Sequence, residues 1–371
     1  MINLKEDIME ENKVYIELTE KLGVKTPSLL TKILEEAYSP EECTLLMELF
    51  EPATCQELAA RLSMDESKVQ SMLDALVANG ALTHGKTQYA FHKSVLAFHH
   101  DVYGDTAVMP IPEKIRALWN DFFYNEWADS HFFKHYLHSM EETGLPFFRV
   151  WPALGALELS PNIKPEDIIP EENWRMRIDN SNSRIVAPCG CRVSWGNPCE
   201  HPVDGACFSN MDSTRGRYYL DKPGRALKVL EHEEALDHVR SLEKAGLVHI
   251  GSCYCCPDSC EIMFTLHRAK RWDLLGSSRF VPEINEEACT GCQVCVKKCY
   301  FDAIEMKEQE DTKKKKATLI KEKCLGCGLC IVACKAKAMV YVLDKPPEHI
   351  TTGVNRNAGT DAIRWGEYEL D

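Results

Sequence analysis

Apolar residues recur at helical spacing over residues 29–80, with Leu45, Leu46, Leu49 and Phe50 forming the clearest stripe and Pro40 and Pro52 as breaks. The pattern predicts short amphipathic helices. Residues 55–62 read as one helix, 63–65 as a turn, and 66–79 as a second helix stopped by Gly80. Residues 81–91 then predict a hairpin turning at Gly85. Residues 111–148 carry Trp119, Phe122, Phe123, Trp127 and Phe132 in core-facing helical stripes. His131, His135 and His138 share one helical face there, a spacing that can hold a metal, but no carboxylate pattern accompanies them and packing is the preferred reading. Residues 151–187 are rich in proline and acidic side chains and predict an extended connector. Over residues 227–248, Leu230, Ala235, Val239, Leu242 and Ala245 predict a helix pair, followed by a strand that delivers Cys253.

The composition is that of a globular chain: 371 residues, 44% apolar, 27% charged and 9% aromatic, with room for two or three domains. The net charge is −14, and residues 1–100 hold nine Lys and Arg against sixteen Asp and Glu. The helix–turn–helix–hairpin order there resembles a winged helix, yet a DNA reader needs cations facing phosphates, so this module is expected to dock protein and nucleic acid is disfavoured. No apolar run reaches the roughly 18 residues of a membrane span, and the N-terminus lacks a signal-peptide core; a cytoplasmic location is expected. No G-x-G-x-x-G, P-loop or G-x-S-x-G sequence occurs, which leaves nucleotide binding and serine chemistry without support.

Eighteen cysteines change the picture. A chain of this size needs no covalent staples, and in a reducing compartment dense cysteine points to metal ligation. Only Cys43 and Cys55 lie in the first half. Cys289, Cys292, Cys295 and Cys299 form C-x2-C-x2-C-x3-C, and Cys324, Cys327, Cys330 and Cys334 repeat it. Two residues between thiolates let a tight loop present three sulfurs to one cubane, while the fourth cysteine turns toward the other cluster. One [4Fe-4S] cluster is therefore assigned to Cys289, Cys292, Cys295 and Cys334, the second to Cys324, Cys327, Cys330 and Cys299. Zinc sites more often pair two C-x2-C knuckles. Residues 281–343 resemble a bacterial two-cluster ferredoxin, including Gly291 and Gly326 in the loops and the matching tails Asp302-Ala303-Ile304 and Lys337-Ala338-Met339. The proline usual after each fourth cysteine is replaced by Tyr300 and Lys335. Lys313 to Lys316 read as a solvated turn, with docking of an acidic redox partner as the alternative.

The middle block holds Cys189, Cys191, Cys199 and Cys207, then Cys253, Cys255, Cys256 and Cys260. Two thiol bundles separated by a helical segment imply that the fold reunites them. Adjacent Cys255 and Cys256 point differently and are expected to serve different centres. C-x-C-R at Cys189 to Arg192, the C-x-C-C-x3-C run and the following two-cluster unit resemble, over residues 149–350, a family of 4Fe-4S ferredoxin-type iron–sulfur proteins of anaerobes. The resemblance implies an electron-transfer or oxidoreductase-subunit role. At least one further iron–sulfur cluster, a [4Fe-4S] by preference, is expected on these eight cysteines, one being favoured over two. Arg192 is expected beside it as a cofactor-binding residue that tunes its potential.

The expected fold class is α+β and multidomain: a winged-helix-like domain (1–100), an aromatic-rich helical segment and connector (101–180), a cysteine-rich cluster-binding domain (181–280), a two-[4Fe-4S] ferredoxin-like domain (281–345) and a tail (346–371). The expected function is an electron-transfer subunit of an anaerobic oxidoreductase complex, partnered by other subunits or a redox protein, in preference to a free-standing enzyme. The rival classes are a redox-responsive transcriptional regulator and an enzyme with an open-site cluster.

Overall fold

Small polar residues start the N-terminal helices. In the computed structural model, α1 spans Leu4–Lys21 and α2 spans Leu29–Ala37, the latter begun by Ser28, whose hydroxyl accepts from the Leu30 N–H. α3 (Pro40–Glu48) and α4 (Cys55–Leu62) each open in a capping box, Ser39 with Glu42 and Thr54 with Glu57. Asp65 caps α5 (Glu66–Ala78). β1 (Leu82–His84) and β2 (Tyr89–Phe91) pair antiparallel with Leu82 opposite Phe91. The expected helix–turn–helix–hairpin order is thus observed, although Gly85 lies outside the described residues, which are 4–84, 87–91, 95–104, 112–146, 148–181, 184–196, 199–207, 228–251, 253–308 and 315–350.

α6 (Val95–Gly104) and α7 (Glu113–Asn125) carry Phe98, Trp119, Phe122 and Phe123 into the core, with Trp119 and Phe123 stacked at 5.6 Å between centroids. Glu126 follows α7 and accepts hydrogen bonds from the Ser28 hydroxyl (2.6 Å) and the Leu29 N–H (3.0 Å), which pins α2 across α7. His138 on α8 (Phe133–Thr143) is exposed, and the side chains of His131 and His135 lie outside the described residues.

Residues 151–187 are not the extended connector expected from their prolines. They form α9 (Leu154–Glu158), a 3-10 turn at Pro165–Asp167 and α10 (Trp174–Asp179). Pro165 sits at a helix start, where its missing N–H does no harm. Ala153, Leu154, Ala156, Trp174 and Ile178 are buried, so short helices satisfy the backbone that burial would otherwise strand. Asn162 and Ser160 fasten the segment to Tyr341 at 2.6 and 2.8 Å.

The expected helix pair over residues 227–248 is also corrected. Lys228–Val229 is strand β4, paired with β3 (Ile185–Val186), and one helix, His232–Ala245, follows. Glu231 and Glu234 box its start, which sets the strand–helix boundary there, and Gly246 at φ +98° closes it. β5 (Val248–Ile250) then turns into β6 (Cys253–Cys255), delivering the cysteines as expected. β7 (Phe280–Ile284) pairs with β10 (Met339–Leu343), and β8 (Ile304–Glu308) with β9 (Lys315–Leu319); all five sheets among the described residues are two-stranded and antiparallel.

One apolar cluster runs from Tyr15 and Leu30 through Phe98 and Trp119 to Val248, Met263, Phe301 and Leu329, so N-terminal helices, middle block and C-terminal region share a core. A buried ion pair adds to it: Glu172 accepts from the Arg279 N–H and from Arg279 Nη1, both at 3.0 Å, with each residue no more than 2% exposed. Glu172→Ala should leave the Arg279 guanidinium buried without its counter-charge. We expect a loss of about 3 to 5 kcal/mol in unfolding free energy, read as a lower denaturation midpoint in urea.

Candidate metal centres

The C-terminal region is built twice over. Short helices Val294–Lys297 and Leu329–Val332 each follow a left-handed residue, Gln293 (φ 64°) and Gly328 (φ 78°), and hold the third cysteine of each run, Cys295 and Cys330. Asp302 (φ 52°) and Lys337 (φ 51°) repeat the same turn three residues after each fourth cysteine. That turn aims the Ala303 N–H at Cys299 Sγ and the Ala338 N–H at Cys334 Sγ, each at 3.3 Å.

Two cavities result. Cys289, Cys292, Cys295 and Cys334 line one with Met306 and Ala317; Cys324, Cys327, Cys330 and Cys299 line the other with Phe301 and Ala303. Burial pushes the Cys324 thiol up to about 11 and those of Cys327 and Cys330 upward as well, so these sulfurs lack stabilisation as bare thiolates. Four soft donors per cavity, apolar walls and N–H groups directed at sulfur suit iron–sulfur clusters. The loops bearing the first two cysteines of each run also leave no slack. Gly291 lies against the Lys315 carbonyl and Gly326 against the Phe280 carbonyl and the Ser278 hydroxyl, where a Cβ would collide. Both are at positive φ.

In the middle block, an isolated bridge joins Ala187 to Cys207 and another joins Cys207 to Cys253, while the Cys189 N–H donates to the Val203 carbonyl at 2.8 Å. Cys189 begins α11 (Gly190–Ser194), which buries Cys191 and Arg192. Cys260 begins the helix Glu261–Ala269. Six thiols form a string: Cys189 meets Cys191, Cys191 meets Cys260, Cys260 meets Cys255, Cys255 meets Cys253, and Cys253 lies 3.7 Å from Cys207. Cys256 leaves this string and lies 3.7 Å from Cys199. Adjacent Cys255 and Cys256 therefore do face different sulfur sets.

Arg192 stands between the sets, 1% exposed, with Nη2 donating to Cys256 Sγ (3.4 Å) and to the Tyr254 carbonyl (3.3 Å). Burial disfavours its charge, but the Cys189 and Cys256 sulfurs outweigh this and hold it protonated. Burial likewise pushes the Cys256 thiol up, yet His201, Arg192 and Ser259 together bring it down to about 7.

Residues without a local motif also gather here. His99 of α6 places Nε2 2.8 Å from the Ser194 hydroxyl and Nδ1 3.4 Å from Glu261, whose other oxygen accepts from the Cys191 thiol. All four are buried. Their contacts join residues 70 or more positions apart along the chain, and no spacing rule reaches that far. Tyr300, in the place of the usual proline, donates its hydroxyl to the Gly246 carbonyl (3.0 Å) and lies 3.3 Å from His201 Nε2. The Val294 N–H and the Thr290 hydroxyl hold the exposed Cys292 thiol below its usual range, and the charge of the exposed Lys335 at the equivalent position adds to this.

The family described as 4Fe-4S dicluster domain matches residues 288–338. This part of the chain is a ferredoxin-type iron–sulfur domain. No curated protein and no solved structure matches the chain. Among the described residues no helix is long and apolar enough to cross a membrane.

Gly326→Ala should combine a left-handed φ, unfavourable by about 1–2 kcal/mol for an L-residue, with a collision against backbone. Gly144, at φ +67° with nothing within 4 Å of a Cβ, isolates the first effect. We expect Gly326→Ala to lower both the melting temperature and bound iron, and Gly144→Ala to lower only the former, and less.

Proposed function

We propose that this protein is a cytoplasmic iron–sulfur electron-transfer subunit of an anaerobic oxidoreductase complex, docking its partner through the acidic N-terminal module. The observation that carries it is the close packing of a two-cavity ferredoxin unit against a third set of thiols, three of them buried and three half-buried. [4Fe-4S] clusters supply one-electron transfer when bound. The residues named above hold and tune them. The cavity linings support crossed ligation, with Cys299 and Cys334 exchanged between the runs. The six-thiol string is the donor set for a further cluster, and Arg192 beside it would favour the more negative redox state. The apolar cluster that joins Phe301, Leu329 and Met263 keeps water from the space between sites.

A second reading, a redox-responsive regulator, draws on one contact: His99 of α6 reaches Glu261 and, through it, Cys191. The hairpin module would then respond to the middle block. Salt-sensitive binding of the full chain to a specific duplex would favour it over partner docking.

Iron and sulfide analysis of anaerobically purified protein should exceed the content of two cubanes. Cys299→Ser should alter the reduced-state spectrum of the cluster on Cys324, Cys327 and Cys330 and spare the other; the opposite result would reverse the crossing. Cys189→Ser combined with Cys191→Ser should lower iron per chain while the ferredoxin signals persist.

A further inference from the structure

Cys199 and Cys256 are separated from the six-thiol string, and they are not alone. Cys199, His201, Cys256 and Asp258 present ligand atoms that all lie within 4.8 Å of one another, the one such group found among the described residues. The string is longer than one ion can gather, whereas this quartet is compact. In sequence it is two copies of one device, Cys199-x-His201 and Cys256-x-Asp258, each placing a sulfur and a nitrogen or oxygen donor on one loop.

We propose that these four residues bind a single divalent, thiophilic ion of the zinc class, apart from any iron–sulfur cluster. Three geometric features and a charge balance carry this. The two sulfurs are 3.7 Å apart, which matches the edge of a tetrahedron with metal–sulfur bonds of about 2.3 Å, roughly 3.8 Å. His201 Nδ1 is buried without a hydrogen-bond partner and lies 3.9 Å from an Asp258 oxygen. His201 Nε2 faces the Tyr300 hydroxyl at 3.3 Å, so the opposite nitrogen is left for the metal and the ring is oriented by a group outside the ligand set. The charges also close: two thiolates, one carboxylate and a divalent ion leave one negative charge, and the Arg192 guanidinium on Cys256 offsets it.

The donors differ in access. Cys256 is buried and Cys199 partly so, while the Asp258 side chain is 52% exposed. Asp258 is thus the exchangeable ligand at the solvent edge, and the two sulfurs and the imidazole are the fixed ones. Tyr300 is a positioning residue. It ties the site to the ferredoxin domain, since its neighbour Cys299 lines the second cavity. Binding would displace the thiol protons and lock residues 199–201, the turn after β6 and the loop after Cys299 into one unit.

The inference goes beyond the electron-transfer reading, and metal analysis separates the two. Full-length protein purified anaerobically with its clusters should contain about one zinc per chain besides iron. Cobalt(II) in its place should give the visible absorption of a tetrahedral thiolate centre. His201→Gln and Asp258→Asn should weaken zinc retention against a competing chelator at least tenfold, with iron and sulfide unchanged. Tyr300→Phe should weaken it by about 10- to 100-fold and shift the cobalt spectrum. The proposal is overturned if the wild-type protein holds no zinc, if Cys256→Ser leaves zinc unchanged, or if that variant loses iron in place of zinc. Wild-type protein that holds zinc but no more iron than two cubanes would instead sink the further cluster and leave this site standing.

Discussion

Thiolate packed against thiolate is stable in a protein interior only when something cationic lies between the sulfurs, and the ferredoxin-type region around residues 289–334 is built to meet that constraint. Burial alone drives thiols such as Cys327 and Cys330 toward the protonated state, and neighbouring sulfurs drive them further. Ordinary core residues would fill these positions with less electrostatic penalty. The structure instead spends left-handed turns at Asp302 and Lys337 on directing N–H groups at sulfur. Those features make physical sense as supports for metal-bound thiolates.

The scaffold around these sulfurs is sparse in regular structure. Every sheet among the described residues is a two-stranded ribbon, and such ribbons are marginal by themselves. Polar anchors between distant segments compensate. Glu243, buried on the helix His232–Ala245, accepts the Leu154 and Gly155 N–H groups at the start of α9 at 2.7 and 2.8 Å. Burial pushes its carboxyl up to about 7, with the two N–H bonds opposing the rise. Glu172 holds Arg279 at the start of β7, and Ser160 and Asn162 grip Tyr341 on β10. These contacts bind the segment between α8 and β3 to both the middle block and the ferredoxin domain more firmly than a linker would be bound.

This explains which features were legible in the sequence. α4, the turn after it, α5 and the hairpin are local: capping boxes, a left-handed Ser63 and short-range periodicity specify them. The repeated C-x2-C-x2-C-x3-C spacing is local too, and the family match falls on it. Residues 151–187 misled because proline and acidic side chains suggest extension, while burial of Trp151, Leu154 and Trp174 depends on partners far along the chain. The helix pair failed because Leu230 continues the apolar period but belongs to the chain just before a capping box. His201 and Asp258 carried a signal in their C-x-H and C-x-D spacing, but only the fold shows that the two dipeptide loops meet. His99 carried none.

Tyr300 shows how a departure from a motif can be read physically. A proline after the fourth cysteine stiffens its loop by fixing φ. Tyrosine leaves that backbone freer, but its hydroxyl binds the Gly246 carbonyl and faces His201, while burial pushes its phenol up and keeps it a neutral donor. The loop is thus fixed from outside, by the end of the helix His232–Ala245. Rigidity around Cys299 then depends on how the middle block sits, whereas at Cys334 the exposed Lys335 makes no comparable tie. The two halves of the ferredoxin unit have the same internal turns but different external restraint: Tyr300 ties the loop after Cys299 to the end of the helix His232–Ala245, while the Ser278 hydroxyl holds the second run by donating to the Gly326 carbonyl at 2.9 Å.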